Sequence, residues 1–159
     1  MAVATTPGGK TAYVANAGSN SVTSIALATN TPSSPIPVGS GPYGIAITPD
    51  GMTAYVTNED SGTVTPIAVA TNTPGRPIPV GTYPAGIAIT PDESTAYVTN
   101  QASGTVTPIA VGTNTPGSPI PVGSGPFGIA ITTPPLTQLP IGTGTPPPTQ
   151  CATPARCRC

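Results

Sequence analysis

Apolar blocks and turn-forming blocks alternate along the chain. In one stretch the apolar block 44–47 is followed by the turn sequence 48–51 and then by 53–57, which is rich in β-branched and aromatic residues. Two such blocks joined by a Pro-Asp-Gly turn predict a β-hairpin. The rest of the stretch predicts a turn, a third strand, another turn and a short fourth strand: 58–62, 63–69, 71–75 and 77–81.

This pattern recurs at a constant spacing of 42 residues, without an insertion. One tyrosine and one proline mark the recurrence in each copy: Tyr13, Tyr55 and Tyr97; Pro42, Pro84 and Pro126. A fixed period of this length indicates a repeat architecture in which each copy forms one supersecondary unit. Four antiparallel strands in about 42 residues are typical of one β-propeller blade. The predicted fold is all-β: β-propeller blades of four antiparallel strands, with three complete repeats and the first strand of a fourth.

The repeats also set the domain boundaries. A partial propeller spans 1–133, with blades at about 1–40, 41–82 and 83–124 and the first strand of a fourth blade at 125–133. From 134 to 159 the chain is rich in proline and threonine and loses the strand period, which predicts a disordered, low-complexity tail.

All three cysteines lie in this tail, at Cys151, Cys157 and Cys159. The chain has no histidine to complete a four-ligand zinc set, so we expect no metal site there. In an oxidising medium an odd number of thiols can cross-link two chains. The tail differs from everything before it, and our hypothesis is that the chain is a fragment of a longer gene product.

Small residues recur in the first strand of each copy and prolines in the fourth. Because Gly44, Gly86 and Gly128 hold matching positions, we expect the first strands to converge at a central axis where only small side chains fit. Pro77 and Pro79 are two residues apart, so both missing N–H groups lie on one side of the strand. This spacing predicts a solvent-facing outer edge.

Prolines also interrupt the predicted third strand. Pro66 and Pro108 stand where the first copy has Ser24. We expect a bulge there, or the loss of one ladder hydrogen bond.

A right-handed β-helix is the competing fold for a 42-residue repeat. The Pro-Asp-Gly turn between closely spaced strands reverses the chain, which gives antiparallel pairing. A β-helix stacks its strands in parallel, so the turns favour propeller blades.

Composition excludes several functions. Charged residues make up 6% of the chain, against about 25% in ordinary globular proteins, and the net charge is −1, so we expect no nucleic-acid binding. The absence of histidine removes the commonest general base and metal ligand, and Lys10 is the only lysine. We therefore expect no enzymatic activity, no cofactor and no metal. No apolar run reaches membrane-spanning length, and no signal peptide is recognisable at the first residues.

The acidic residues predict structural roles. Asp50 and Asp92 lie in Thr-Pro-Asp turns, where an aspartate side chain accepts from backbone N–H groups. Glu59 and Asp60 form an acidic pair in a single turn, which favours a solvated turn over a weak calcium contact.

Three aromatic residues are candidates for ligand binding. Tyr43, Tyr83 and Phe127 follow the loops that lead into the innermost strands, so we expect them around one mouth of the central channel. By contrast, the tyrosine that recurs in the second strand is predicted to pack between blades.

The repeat resembles the YVTN-type β-propeller repeat, found in bacterial and archaeal surface-layer proteins among others. The resemblance covers about 1–133 and rests on Tyr-Val-Thr-Asn at 55–58 and 97–100, the near copy Tyr-Val-Ala-Asn at 13–16, the opening segment 42–47 and the closing segment 78–81. It implies a ring, commonly of seven blades, in secreted or cell-surface proteins that act as binding or structural modules. The chain departs from the family at Ala68 and Ala110, where a charged residue is usual.

Three blades do not close a propeller, which needs about 4–8. The expected function is a non-catalytic binding or structural module, in a fragment of a larger cell-surface or secreted ring, with an unknown protein or carbohydrate ligand.

Self-association that closes the ring is an alternative to the fragment. Another alternative is a part of a propeller enzyme, lactonase-like or redox-related as in some relatives, with its catalytic residues on other blades. A flat ice- or carbohydrate-binding array of Thr-x-Thr pairs is disfavoured by the 42-residue spacing.

Overall fold

The computed structural model describes residues 2–132, which form three antiparallel β-sheets of the same design. We call the sheets blade 1, blade 2 and blade 3. The strands of blade 1 are β1 (Val3–Thr5), β2 (Thr11–Asn16), β3 (Ser21–Ala26), β4 (Thr31–Pro32) and β5 (Ile36–Pro37), with a 3₁₀ turn at Ala17–Ser19. Those of blade 2 are β6 (Pro42–Ile47), β7 (Thr53–Asn58), β8 (Thr63–Ala68), β9 (Thr73–Pro74) and β10 (Ile78–Pro79). Those of blade 3 are β11 (Pro84–Ile89), β12 (Thr95–Asn100), β13 (Thr105–Ala110), β14 (Thr115–Pro116) and β15 (Ile120–Pro121).

The first three strands of each blade confirm the strands predicted from the repeat. In blade 2 the strands β6, β7 and β8 pair in sequence order, and the second-to-third ladder runs without a register shift from Thr53 opposite Ala68 to Asn58 opposite Thr63. Blades 1 and 3 have the same second-to-third ladder, displaced by 42 residues. Short turns between successive strands impose this antiparallel order.

The fourth strand differs from the prediction because it is divided into two pieces of two residues each. Both pieces pair with the third strand: β9 at Ile67 and Ala68, and β10 at Val64 and Thr63. The segment 71–75, predicted as a turn only, therefore also contributes a strand piece. The chain leaves the sheet between the two pieces, opposite Pro66.

This division also explains why Pro66 and Pro108 cause no bulge against the second strand. In blade 1 the matching Ser24 donates its backbone N–H outward, to Oγ of Ser33 at 3.2 Å. Proline removes that donor, and Gly75 takes the place of Ser33, with its own N–H bonded to the Pro66 carbonyl at 2.7 Å. The missing N–H thus faces the break in the outer strand, where no ladder partner is needed.

The hydrophobic core lies between the blades, not within them. One cluster joins blade 1 to blade 2 and the other joins blade 2 to blade 3. The first contains Tyr13, Val22 and Ile36 from blade 1 with Ala54, Val56 and Ile67 from blade 2. The second contains Tyr55, Val64 and Ile78 from blade 2 with Ala96, Val98 and Ile109 from blade 3. Each blade thus has two different apolar faces, and burial of both depends on neighbours.

The first strands of neighbouring blades lie side by side, as expected for sheets that converge on one axis. A Cβ atom placed on Gly44 would meet the carbonyl oxygen of Ala85, and one on Gly86 would lie 2.6 Å from the carbonyl oxygen of Phe127. The prediction that only small residues fit here is confirmed at these two positions, since the next strand lies against the glycine.

The beginning of the fourth repeat occupies the place of a first strand without being paired as one. Thr99 Oγ1 donates to the Phe127 carbonyl at 3.0 Å, as Thr57 Oγ1 donates to the Ala85 carbonyl at 2.9 Å. Within residues 126–132 no strand is assigned. The predicted tail, 134–159 with its three cysteines, lies outside the described residues.

Candidate binding face

The candidate binding face is the end of the arc at which the first strands begin. Antiparallel pairing brings the start of each first strand beside the end of its second strand, as in the pairing of Pro42 with Asn58. The turn after the second strand is held to the loop before the first strand by backbone hydrogen bonds. Glu59 N–H donates to the Gly41 carbonyl at 2.8 Å, and Gln101 N–H donates to the Tyr83 carbonyl at 2.9 Å.

Two of the three aromatic residues predicted on this face touch each other. The rings of Tyr43 and Phe127 meet edge to face, with centroids 5.5 Å apart and planes at 78°, a favourable geometry for aromatic pairs. Ala85 holds the matching position on the blade between them and is 1% exposed. Its small side chain leaves the space in which the two rings meet.

The third predicted aromatic residue, Tyr83, has a different position and a different backbone. It matches Gly41 and Gly125 in the repeat, not Tyr43, and is not part of the Tyr43–Phe127 ring contact. Tyr83 has φ = 54°, close to the 64° of Gly41 and the 66° of Gly125. A bulky residue in this left-handed region is strained. Its side chain is nevertheless 46% exposed, so packing does not explain the tyrosine.

Tyr83 borders an open cleft of about 640 Å³ between blades 2 and 3. The other side chains that line it are polar or acidic apart from one valine: Glu59, Asp60, Ser61, Val80, Thr82 and Ser103. Ser103 Oγ accepts from the backbone N–H of Thr82 at 2.7 Å and fixes the loop before Tyr83. Across residues 2–132, no three histidine, cysteine, aspartate or glutamate side chains gather as a metal site would require.

The recurring tyrosine of the second strand links each blade to the next. Tyr13 Oη donates to Asn72 Oδ1 at 2.7 Å, and Tyr55 Oη donates to Asn114 Oδ1 at 2.6 Å. Both asparagines have positive φ, 53° and 54°, which asparagine tolerates better than most residues. Burial raises the pKa of Tyr13 and of Tyr55. These tyrosines pack between blades, as the sequence predicted.

The threonine two residues further along joins the first strands at the axis. Thr57 Oγ1 accepts from Gly44 N–H of its own blade at 2.7 Å and donates to the Ala85 carbonyl of the next. Thr99 repeats this arrangement with Gly86 at 2.8 Å. Because Gly44 N–H bonds to a side chain, the first-to-second ladder shifts register between Pro42 and Ile45.

The asparagine that closes the Tyr-Val-Thr-Asn stretch fixes the following turn. Asn58 Nδ2 donates to Thr63 Oγ1 at 3.1 Å and to Thr65 Oγ1 at 2.9 Å. Asn100 makes the same pair of bonds with Thr105 and Thr107, at 3.1 and 2.8 Å. The Thr-x-Thr pairs therefore serve the blade's own turns, as acceptors for these amides.

Asp50 and Asp92 lie at the opposite end of the arc, in the turns between first and second strands. Asp50 Oδ1 accepts from Thr48 Oγ1 at 2.5 Å and from Met52 N–H at 2.9 Å. Hydrogen bonding from Thr48, then from Met52, lowers the pKa of Asp50. Asp92 accepts from Ser94 in the same way, so both aspartates make the turn contacts predicted for them.

The fold is shared with solved propeller structures. Hydrazine synthase from Kuenenia stuttgartiensis is similar over 79% of this chain and 37% of its own chain, with 29% identity and a TM-score of 0.77. The RRP9 WD40 repeats match over 75% of this chain and 37% of their own, with 15% identity and a TM-score of 0.68. The fold is that of a β-propeller. These matches show a propeller segment, as predicted from the repeat.

A protein of unknown function from Desulfotomaculum acetoxidans is similar over 82% of this chain and 44% of its own, with 23% identity and a TM-score of 0.71. The chain thus spans less than half the length of these structures. Sequence comparison finds no matching family model and no matching curated protein. In the part of the chain described here, every helix is too short to cross a bilayer.

Proposed function

We propose that this chain is a non-catalytic β-propeller module of the YVTN type that binds its ligand through the face bearing Tyr83. The observation that carries the proposal is the positive φ of Tyr83 at a position where two other repeats have glycine. Its backbone conformation costs about 1–3 kcal/mol, and the side chain remains 46% exposed. Strain retained at an exposed aromatic residue is typical of a binding site.

Glu59 and Asp60 line the cleft beside Tyr83 and disfavour an anionic ligand, so we propose a neutral one, such as a carbohydrate or an uncharged protein segment. Tyr83 offers an aromatic ring, and Ser61, Thr82 and Ser103 lie near it in the cleft. Tyr43 and Phe127 add a second aromatic surface on the same face, with Phe127 49% exposed. Aromatic rings that combine apolar area with hydrogen-bonding tips are enriched at binding interfaces.

The chemistry of the chain supports a role without catalysis. The sequence has no histidine and a single lysine, so its hydroxyl groups lack the usual activating base. The carboxylates of Asp50 and Asp92 are committed to turns. A propeller enzyme whose catalytic residues lie on other blades is the second candidate. The observation that supports it is the shared fold with part of hydrazine synthase.

The resemblance to YVTN repeats supports a place in a larger ring at the cell surface or outside the cell. Each residue of the Tyr-Val-Thr-Asn stretch has a separate task in joining blades or fixing turns. The residues of the shared stretch therefore hold the blades together and fix their turns. Ligand specificity rests on residues that vary between the copies, such as Tyr83.

The binding proposal is tested with the Tyr83→Gly variant on arrays of neutral oligosaccharides and of synthetic peptides. Glycine restores the residue found at the matching positions, so we expect unfolding free energy to rise by about 1 kcal/mol. At the same time, binding to the oligosaccharides or peptides recognised by the unaltered protein is expected to fall at least tenfold.

A matched control is Met52→Ala, which removes an exposed apolar side chain in a turn at the opposite end of the arc. This variant should keep the binding of the unaltered protein. Equal binding by the Tyr83→Gly variant and the unaltered protein would show that the face has another purpose. The absence of binding by any form to either array would count against the module as a carbohydrate- or peptide-binding unit.

A further inference from the structure

The two ends of the three-blade arc expose opposite halves of one interface. At the end of blade 3, Val106 and Ile120 hold the positions that Val22 and Ile36 hold in the contact between blades 1 and 2. Ile120 is 45% exposed, whereas Ile36 is 3% exposed. This end therefore carries the half-interface that blades 1 and 2 use to receive the following blade.

The end of blade 1 carries the other half. Ala12, Val14 and Ile25 match the three residues that blade 2 contributes to its contact with blade 1. Val3, in β1, is 65% exposed, and Leu27 is 38% exposed. The established interface between blades is thus present in full on one chain, divided between its two ends.

The hydrogen bonds between blades are divided in the same way. Asn30 has φ = 53°, the same left-handed conformation as the asparagine acceptors Asn72 and Asn114. Within residues 2–132, Asn30 makes no side-chain hydrogen bond and the Tyr97 hydroxyl has no partner. A tyrosine donor is thus presented at one end, and a pre-formed asparagine acceptor at the other.

The start of the fourth repeat adds a strand-like segment at the blade 3 end, which has no ladder partner within residues 2–132. Residues 126–131 have the sequence of a complete first strand, and Thr99 already holds the Phe127 carbonyl. In blade 1 the first strand is the three-residue β1. Its Val3 matches Ile129 of the fourth repeat, and its Thr5 matches Ile131. Residues 126–131 are therefore the more apolar strand for pairing with β2.

We propose that a second copy of this chain docks head to tail on the blade 3 end, with its β2 paired to residues 129–131 in place of its own β1. The register follows from the first-to-second ladder of blade 2, where Ala46 lies opposite Tyr55. Ala130 then lies opposite Tyr13 of the second copy. Tyr97 donates to Asn30 of that copy, and Ile120 becomes buried against its blade 1. This proposal rests on the fold and not on the binding role of Tyr83.

Closure favours two copies over an open chain of copies. Head-to-tail contacts form a ring when the rotation closes, and two copies supply six blades, within the range of about 4–8 in which propellers close. In such a ring every apolar end face is covered. Once the first contact forms, the second is intramolecular, which strengthens the assembly without any new kind of contact.

The proposal is tested on the full 159-residue chain under reducing conditions, by light scattering on a size-exclusion column. We expect the mass of two copies, against 15.5 kDa for one. Ile120→Glu places a charge at the centre of the proposed interface and should shift the mass to one copy. Because Ile120 is already 45% exposed in the single chain, the circular dichroism of the variant should keep the β-sheet signal. Met52→Glu, a charge on an exposed residue in a turn outside this interface, should leave two copies.

Strand exchange is tested separately by hydrogen exchange. The amide hydrogens of 129–131 should exchange more slowly in the two-copy species than in the Ile120→Glu variant. A one-copy mass for the unaltered chain would overturn the proposal, and so would a two-copy mass that Ile120→Glu leaves unchanged. Equal exchange rates at 129–131 in both proteins would overturn the pairing of this segment with β2.

Discussion

Tyr55 and Asn114, which lie 59 residues apart in the chain, are joined by a hydrogen bond of 2.6 Å between Oη and Oδ1. The same bond joins Tyr13 to Asn72 at 2.7 Å. In each case the tyrosine ring belongs to the apolar cluster between two blades and its hydroxyl reaches the turn of the following blade. One side chain thus contributes both buried apolar area and a specific hydrogen bond to the interface.

Removal of this hydroxyl should weaken the contact between blades. We expect Tyr55→Phe to lower the free energy of unfolding by about 1 kcal/mol, the usual net value of such a bond. Chemical denaturation followed by circular dichroism measures the change. Tyr97→Phe is the matched control when both variants are made in the single-copy Ile120→Glu protein, because the Tyr97 hydroxyl has no partner within residues 2–132 of the single chain. An equal loss in both variants would show that the hydrogen bond is not responsible.

The glycines of the first strands should tolerate alanine only where the strand of a following blade does not lie against them. A methyl group on Gly44 would collide with the Ala85 carbonyl oxygen, whereas no atom of residues 2–132 lies within 4 Å of the same position on Gly128. We expect Gly44→Ala to destabilise the protein by about 1–3 kcal/mol, as overpacking does. Gly128→Ala should change stability little in the single chain. Thermal unfolding of the two variants side by side distinguishes them, and a reversed order would contradict the converging strands.

Replacement of the bridging threonine, Thr57, should lower the free energy of unfolding more than removal of a hydroxyl at the surface would. Thr57→Val keeps the shape of the side chain but leaves the buried Gly44 N–H without its acceptor at 2.7 Å. We expect a loss of about 1–3 kcal/mol, the penalty for an unsatisfied buried donor, measured by denaturant unfolding. In blade 1 the matching residue is Ala15. Thr57→Ser, which keeps the hydroxyl and removes only the methyl group, separates the effect of packing from that of the bond.

Alkaline pH should destabilise the contacts between blades. Burial raises the pKa of Tyr13 and Tyr55 above the ordinary value of about 10. Between the unfolded and the folded pKa the folded state binds more protons, so stability falls as pH rises through this window. Unfolding measured from pH 8 to pH 11 should show this fall. The double variant Tyr13→Phe, Tyr55→Phe should show a smaller dependence, and an unchanged slope would assign the effect to other groups.

The strands could be predicted from sequence because local signals agree with the repeat. Asp50 and Gly51 form a turn whose type is fixed by the residues themselves, and the spacing of Tyr55 sets the register of the copies. The divided fourth strand was not predicted, because Thr73 and Pro74 form a strand piece only through pairing with Ile67 and Ala68. That pairing depends on how the loop after the third strand brings the chain back beside it, which the sequence of the two-residue segment does not encode.

The candidate face was predicted only in part, for a reason visible in the numbering. Tyr43 and Phe127 are separated by two full repeats and meet in the structure, but Tyr83 is two residues short of the matching position, which is Ala85. Strict use of the period would have aligned Tyr83 with Gly41 and revealed the unusual substitution. The tyrosine–asparagine bond was missed as well. Its signal was the recurrence of asparagine at 30, 72 and 114, just before each Thr-Pro pair.

The hydroxyl bridges from Tyr13, Tyr55, Thr57 and Thr99 all point the same way along the chain, from an earlier blade to a later one. During synthesis from the amino terminus, each donor is therefore made before its acceptor. A newly made blade meets hydroxyl donors that already stand on the blade before it, so the array is suited to growth in one direction, one blade at a time.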